Sequence, residues 1–446
     1  MKKFLALFLA LTMALALAGC ADKNPSTSSS KSSNDTSTSQ DAEPTGLTYV
    51  SGASMAEQVK DKDTTLYTYN AVVNGEITQI TTNSNRCDGL YNELTAGDDG
   101  VYTQMALTGV EYEIVVGDFA KADGKTVTLG GQTLTCADDL VVYAIDLNGG
   151  ITVGSIDNDY TGTGDYTIKV MYTTNDKGEV DGLYIKQNAT FNYTTEEQLL
   201  AAAEKAGMKS AVLVNTFGNR ANTKYMVKDD KGNWTVKFNV THDSWCGRNG
   251  TKDTGTKDDN KKEGDGNSPT GMYPIFLHFG TKADPGVGNG VSYTQLQPYG
   301  HFWVDGEVNG SRMYNKFVLT AKAKGSVPTT VYGDYDYTVL DVNWTNGDQV
   351  KAERPNYGFN SCEWLWEETT AYAYASSIEY NTNWKMSDDG STVINVPNSI
   401  VNNGGSCIFF HCKTTGATAG CISIPEDDYV TFLKTVDERG AMIAIN

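Results

Sequence analysis

Apolar and polar positions alternate along most of this chain in short runs, punctuated by glycine-bearing turns. Thr65–Val73, Gly100–Leu107, Tyr112–Val116, Leu140–Ile145 and Tyr166–Tyr172 carry the two-residue period and β-branched or aromatic content of strands. Asn74-Gly75, Asp123-Gly124 and Asn148-Gly149-Gly150 stand between strand candidates, where glycine supplies the positive φ that tight turns need. The pattern breaks once, at Glu196–Ala206 (EEQLLAAAEKA), which reads as a helix capped by Thr194 or Thr195. A strand at Ser210–Val214 follows. Next comes a hairpin of Lys224–Lys228 with Asn233–Asn239, turned at Asp230-Lys231-Gly232, and then a polar stretch, Asn249–Gly264, expected to be solvent-exposed. Near the end, two short apolar runs flank the Gly/Thr loop Lys413–Ala419. They predict two buried strands, with His411 ending the first and Cys421 opening the second at the same edge of the sheet.

The amino terminus follows another pattern. Met1-Lys2-Lys3 precedes an unbroken apolar and small-residue run to Gly19, the form of a secretory signal peptide and short for a transmembrane helix. It closes on Leu17-Ala18-Gly19-Cys20, which resembles a bacterial lipobox and implies a lipid on Cys20 that anchors the chain to a membrane. Residues 20–47 are rich in Ser, Thr, Asn and Asp and cannot bury enough apolar surface to fold, so they read as a disordered tether. The division expected is signal peptide 1–19, tether 20–47, β-rich domain 48–206 of unassigned role, and a second domain 207–446.

Composition narrows the partners. Removal of Lys2 and Lys3 would take the formal charge from −20 to −22, leaving no basic stripe for nucleic acid. Eight cysteines are present. With Cys20 assigned to lipid, Cys87 and Cys136 are the pair available for a disulfide in the first half. The five others, Cys246, Cys362, Cys407, Cys412 and Cys421, leave an odd thiol. Oligomeric state is not legible.

The stretch Gly405–Pro425 carries the chemistry. A free thiol, with a pKa of about 8.5, is only a few per cent ionised near neutrality. An imidazole within reach can take its proton and return it to a leaving amine. A glycine before the nucleophile permits close backbone approach, and amides there suit an oxyanion hole. The plainer readings are a buried apolar cysteine with a structural histidine, or zinc held by Cys407, His411, Cys412 and Cys421. The zinc reading lacks the usual paired-cysteine spacing, and His411 and Cys412, adjacent on a strand, point to opposite faces.

The order His411-Cys412 then Thr418-Ala419-Gly420-Cys421 resembles the active-site signature of the YkuD-type L,D-transpeptidases. The likeness extends upstream to Lys262-Glu263-Gly264-Asp265-Gly266-Asn267-Ser268-Pro269-Thr270-Gly271, similar to that family's glycine-rich segment. Phe302-Trp303-Val304-Asp305, Met313-Tyr314-Asn315 and Glu379-Tyr380-Asn381 resemble a branch of the family that ends in T-A-G-C. It spans roughly residues 210–446 and implies a mainly β protein with a β-sandwich-like catalytic domain. It also implies Cys421 as nucleophile, His411 as base, the Cys412 carbonyl as orienter of the imidazole, and Gly420 in the oxyanion hole. Thr418, Trp303, Tyr314, Asn315, Tyr380 and Asn381 would line the substrate cleft. No metal or other cofactor is called for, and the implied partner is the peptidoglycan stem peptide outside the membrane. Two departures stand out: Ala419 and Ser423 occupy positions where many members have His and Arg. The alternatives are an L,D-carboxypeptidase using water as acceptor and a non-catalytic wall-binding lipoprotein. Papain-like and NlpC-type peptidases place Cys before His, and sortases need an Arg soon after the Cys, which Arg439 fits poorly.

Overall fold

Segment after segment of apolar–polar alternation makes this chain mainly β in the computed structural model. The model describes residues 49–61, 64–73, 76–82, 93–96, 101–105, 112–121, 125–145, 151–154, 167–186 and 193–446, the last without 252–260, 309–311 and 415. The expected signal peptide, the tether and Cys20 lie outside these, as do the three Gly turns expected before residue 151. Among the described residues no helix is long and apolar enough to cross a membrane.

The described residues of the first half form two sheets. One has the order Tyr49–Asp61, Thr64–Val73, Glu76–Thr82, Val101–Met105, Glu93–Ala96. The other runs Val180–Lys186, Thr167–Thr174, Glu113–Lys121, Thr126–Leu129, Gln132–Ile145, Ile151–Gly154. Val180–Lys186 also pairs in parallel with Gln132–Ile145, closing five strands into a barrel around Val127, Leu129, Val142, Val170 and Leu183.

The predicted helix spans Glu196–Lys205, and Thr195 closes a capping box with Gln198. Leu199 and Ala203, four residues apart, are fully buried from it, and it packs on the strands Ser210–Phe217 and Ala441–Ile445. The C-terminal body therefore begins with this helix rather than after it.

That body is built on nine strands in the order Tyr293–Gln295, Gly271–Gly280, Ala375–Ile378, Phe409–Cys412, Ile422–Ile424, Trp234–Trp245, Arg220–Lys228, Ser210–Phe217, Ala441–Ile445. The sandwich-like sheets expected here join into a closed ring. Closure comes from one strand: Gly271–Ile275 pairs with Ala441–Ile445, while Ile275–Phe279 pairs with Ala375–Ile378. Eight strands share the ring, and each sends apolar side chains into one core, completed by Tyr429, Phe432 and Leu433 of the helix Glu426–Thr435. The opposite face of the ring packs against the first helix and a smaller sheet ordered Tyr337–Leu340, Phe317–Thr320, His301–Glu307, Phe359–Glu363. The candidate site lies in this second core.

Candidate active site

His411 and Cys421 lie on the same face of neighbouring strands. Phe409–Cys412 runs parallel to Ile422–Ile424, with Phe410 opposite Ile422 and His411 opposite Ser423. Phe410, Cys412, Ile422 and Ile424 enter the ring core, so alternation sends Phe409, His411, Cys421 and Ser423 to the other face. Cys421 stands level with Phe409, two residues from His411. A strand spacing of ~4.8 Å and a two-residue rise of ~6.6 Å put their Cα atoms roughly 8 Å apart, a diagonal that an imidazole and a thiol span.

This differs from the expectation that the end of one strand and the start of the next share an edge of the sheet. The connection does not turn straight back. Thr418 is drawn onto the next strand's end, accepting from Arg248 N (2.8 Å) and donating its own amide to Cys246 O (2.9 Å). The chain then re-enters the sheet parallel to the His411 strand.

The resting pair is neutral. The Cys421 thiol donates to Cys407 O and accepts from Phe409 N, both at 3.3 Å. Burial, and then the charge of Glu363, push it up to about 12. His411 Nδ1 lies 2.7 Å from Cys412 O. Burial holds the imidazole down to about 4, although hydrogen bonding to the Cys412 and Ala371 carbonyls favours its charged form. Near pH 7 the pair is thus a thiol beside a neutral imidazole.

The glycine-rich segment is the clamp beneath Gly420 and Cys421. Ser268 Oγ accepts from Gly247 N (2.9 Å) and donates to Gly420 O (2.7 Å). A Cβ on Gly247 would meet Gly266 O at 2.4 Å, so glycine there is what allows the two backbones to touch. Asp265 accepts from Lys261 Nζ, Lys262 N and Asn267 N, and the Lys261 side chain is only 3% exposed. Within the polar stretch expected to be exposed, Lys261 is therefore buried, because its ammonium has a carboxylate partner. Ser268→Ala is expected to cost roughly 2–3 kcal/mol, since it orphans a buried amide and a buried carbonyl together; urea unfolding measures it.

Thr418 Oγ1 accepts from Gly420 N (3.1 Å) and donates to Cys421 O (2.7 Å). Thr418 therefore closes the turn before the nucleophile instead of lining a cleft. The Gly420 amide, expected in the oxyanion hole, is occupied at rest and must exchange this bond to serve there.

The aromatic and amide residues expected to line the cleft are mostly spent on the loop before the His411 strand. Trp303 Nε1 donates to Asn315 Oδ1 (2.7 Å), which also receives Cys407 N (3.2 Å). Tyr314 OH donates to Glu263 and accepts from Gly405 N, and Tyr380 OH donates to Gly404 O. Asn381 Nδ2 reaches Val401 O and Gly405 O. Trp303 and Asn315 are buried and cannot meet a ligand without rearrangement. Tyr314 also borders a polar cavity of about 300 Å³, with Arg312, Lys316 and Glu307 on its walls. Cys407, held by Asn315, has φ of 54°, a left-handed conformation costly for a residue with a side chain. Its carbonyl meets the Cys421 thiol.

The remaining cysteines do not join the centre as a set. Cys412 faces the ring core, away from His411 and Cys421, so the four residues of the zinc reading do not converge. Cys136 is buried, and Cys87, the other half of the disulfide left open, lies outside the described residues. Ser423 is fully buried beside His411, and its hydroxyl has no hydrogen-bond partner. The sequence reading missed Glu363. It sits within Ser361-Cys362-Glu363-Trp364, which carries no motif, and reaches the site only because its strand pairs with His301–Glu307. No family model, no curated protein and no solved structure matches this chain.

Proposed function

We propose that this protein is a peptidoglycan L,D-transpeptidase working through a thioester on Cys421. The observation that supports the reading best is the shared face of His411 and Cys421 on adjacent strands, with the imidazole's Nδ1 engaged by a backbone carbonyl. His411 takes the thiol proton as sulfur attacks the carbonyl between an L-centre and a D-residue of a stem peptide. The C–N bond breaks, and the proton passes from the imidazolium to the departing D-amino acid. An amine of a neighbouring stem then attacks the thioester, its proton passes to His411, and the thiol is regenerated with a new amide cross-link. Water in place of the amine gives the carboxypeptidase outcome. The lipid-anchored, wall-facing placement belongs to the same proposal and rests on the Leu17–Cys20 resemblance.

Incubation of the purified protein with tetrapeptide muropeptides, followed by mass spectrometry, tests the reaction. Dimers joined L-centre to amine are expected. Tripeptide monomers alone would assign the carboxypeptidase, and unchanged muropeptides alongside retained wall binding would favour the binding protein.

A further inference from the structure

Glu363 is a residue of intermediate exposure whose carboxyl end is enclosed, and the thioester mechanism above does not use it. Tyr372 OH donates to its Oε1 at 2.5 Å, and the Tyr372 ring stands edge-on to His411, with centroids 5.6 Å apart and an interplanar angle of 88°. Glu363 and Cys407 each act on the other's ionisation, and the Glu363 charge is the largest acting on the Cys421 thiol. One carboxylate therefore holds the tyrosine that packs against His411 and lies within electrostatic reach of the cysteine whose carbonyl receives the Cys421 thiol.

We infer that Glu363, fixed by Tyr372 and set beside Cys407 and Cys421, is a positioning residue that controls ionisation of the nucleophile. This rests on the reading of Cys421 as the nucleophile. When Glu363 is ionised it opposes a second negative charge on Cys421; when protonated it permits one. Burial pushes the carboxyl up to about 7, so the change falls in the neutral range.

The groups around it set the direction. Asp305, from the paired strand, and Glu368, from the following turn, raise its proton affinity, while Tyr372 and Cys407 lower it. Cys362 on its own strand is a high-pKa thiol. Arg354 acts on Asp305 and Cys362. From the glycine-rich segment, Lys261 lowers and Glu263 raises the neighbouring thiols at Cys421 and Cys407 respectively. His411, behind Tyr372, is neutral above about pH 4.

The consequence is a distinctive pH profile. Without Glu363, thiolate at Cys421 would grow tenfold per pH unit throughout the neutral range. With it, growth slows to about half that steepness while Glu363 gains its charge just above pH 7, then resumes on a lower line. The test is the rate of iodoacetamide modification of Cys421 in the full-length protein between pH 5.5 and 9, resolved from Cys407 and Cys362 by peptide mass mapping. The wild type is expected to show the shoulder. Glu363→Gln is expected to lose it, with rates unchanged near pH 6 and roughly tenfold higher at pH 8.5. Tyr372→Phe removes a hydrogen bond to the carboxylate and is expected to move the shoulder to higher pH, a readout that does not depend on the first variant folding. Profiles identical to wild type in both variants, or accelerated equally at every pH, would overturn the inference alone. A Cys421 that stays unmodified at every pH in the native protein would overturn the nucleophile reading and the inference with it.

Discussion

Cys421→Ala is expected to lower cross-link formation by roughly 10⁴-fold or more while leaving the protein folded. The size follows from chemistry: without sulfur there is no thioester, and no neighbouring group can substitute. The nearby thiol of Cys407 is pushed well up by burial and by the charges of Glu363, Asp305 and Glu263, so it is a poor replacement. The fold should survive, because alanine removes one sulfur atom from a niche whose walls are held by other bonds. Phe409 N and Cys407 O lose their contacts with the thiol, at a cost of about 1–2 kcal/mol. Product analysis by mass spectrometry reads the first effect, and circular dichroism with thermal melting reads the second.

His411→Ala is the second large effect, expected at roughly 10²–10⁴-fold on transfer. It carries a pH signature. Because burial holds His411 at about 4, the base form persists well below the usual histidine range. The acid limb of the wild-type rate should therefore fall near pH 4 instead of near 6.5. The stability effect has a definite sign. The folded-state pKa lies below the unfolded value of 6.5, so the unfolded chain takes up the proton first. Stability is full above about pH 6.5 and is lost as pH falls toward 4, by at most about 3 kcal/mol from this residue. His411→Ala should remove that share of the acid sensitivity while leaving His278 and His301, also held low by burial, to contribute theirs. Urea titrations at pH 5 and pH 7 on both proteins measure it.

Where local chemistry decides structure, the sequence was readable. Thr195 and Gln198 at the required spacing cap the helix at Glu196, and Asp230-Lys231-Gly232 turns the hairpin of Arg220–Lys228 with Trp234–Trp245. The proximity of His411 and Cys421 was readable because a short connection keeps them close under either strand direction. The parallel pairing was not, because it depends on Thr418 finding Cys246 and Arg248 about 170 residues earlier in the chain. The helix Glu426–Thr435 was also missed. Its apolar spacing at Tyr429, Phe432, Leu433 and Val436 was visible, and three acidic residues follow Pro425. At a helix start those same charges favour the dipole. Glu363 and Lys261 owe their place in the site to long-range pairing and burial, which no local pattern encodes, whereas Ser268 stood in the glycine-rich segment.

The thioester itself is the most direct object to measure. The wild-type protein, mixed with a stem tetrapeptide without an amine acceptor and quenched in acid within seconds, should gain the mass of the peptide acyl group less its terminal D-amino acid. Peptide mapping should place that mass on Cys421, and hydroxylamine should release it. An adduct on another residue, or product formation with no adduct and undiminished rates in Cys421→Ala, would show that the chemistry does not pass through this thiol.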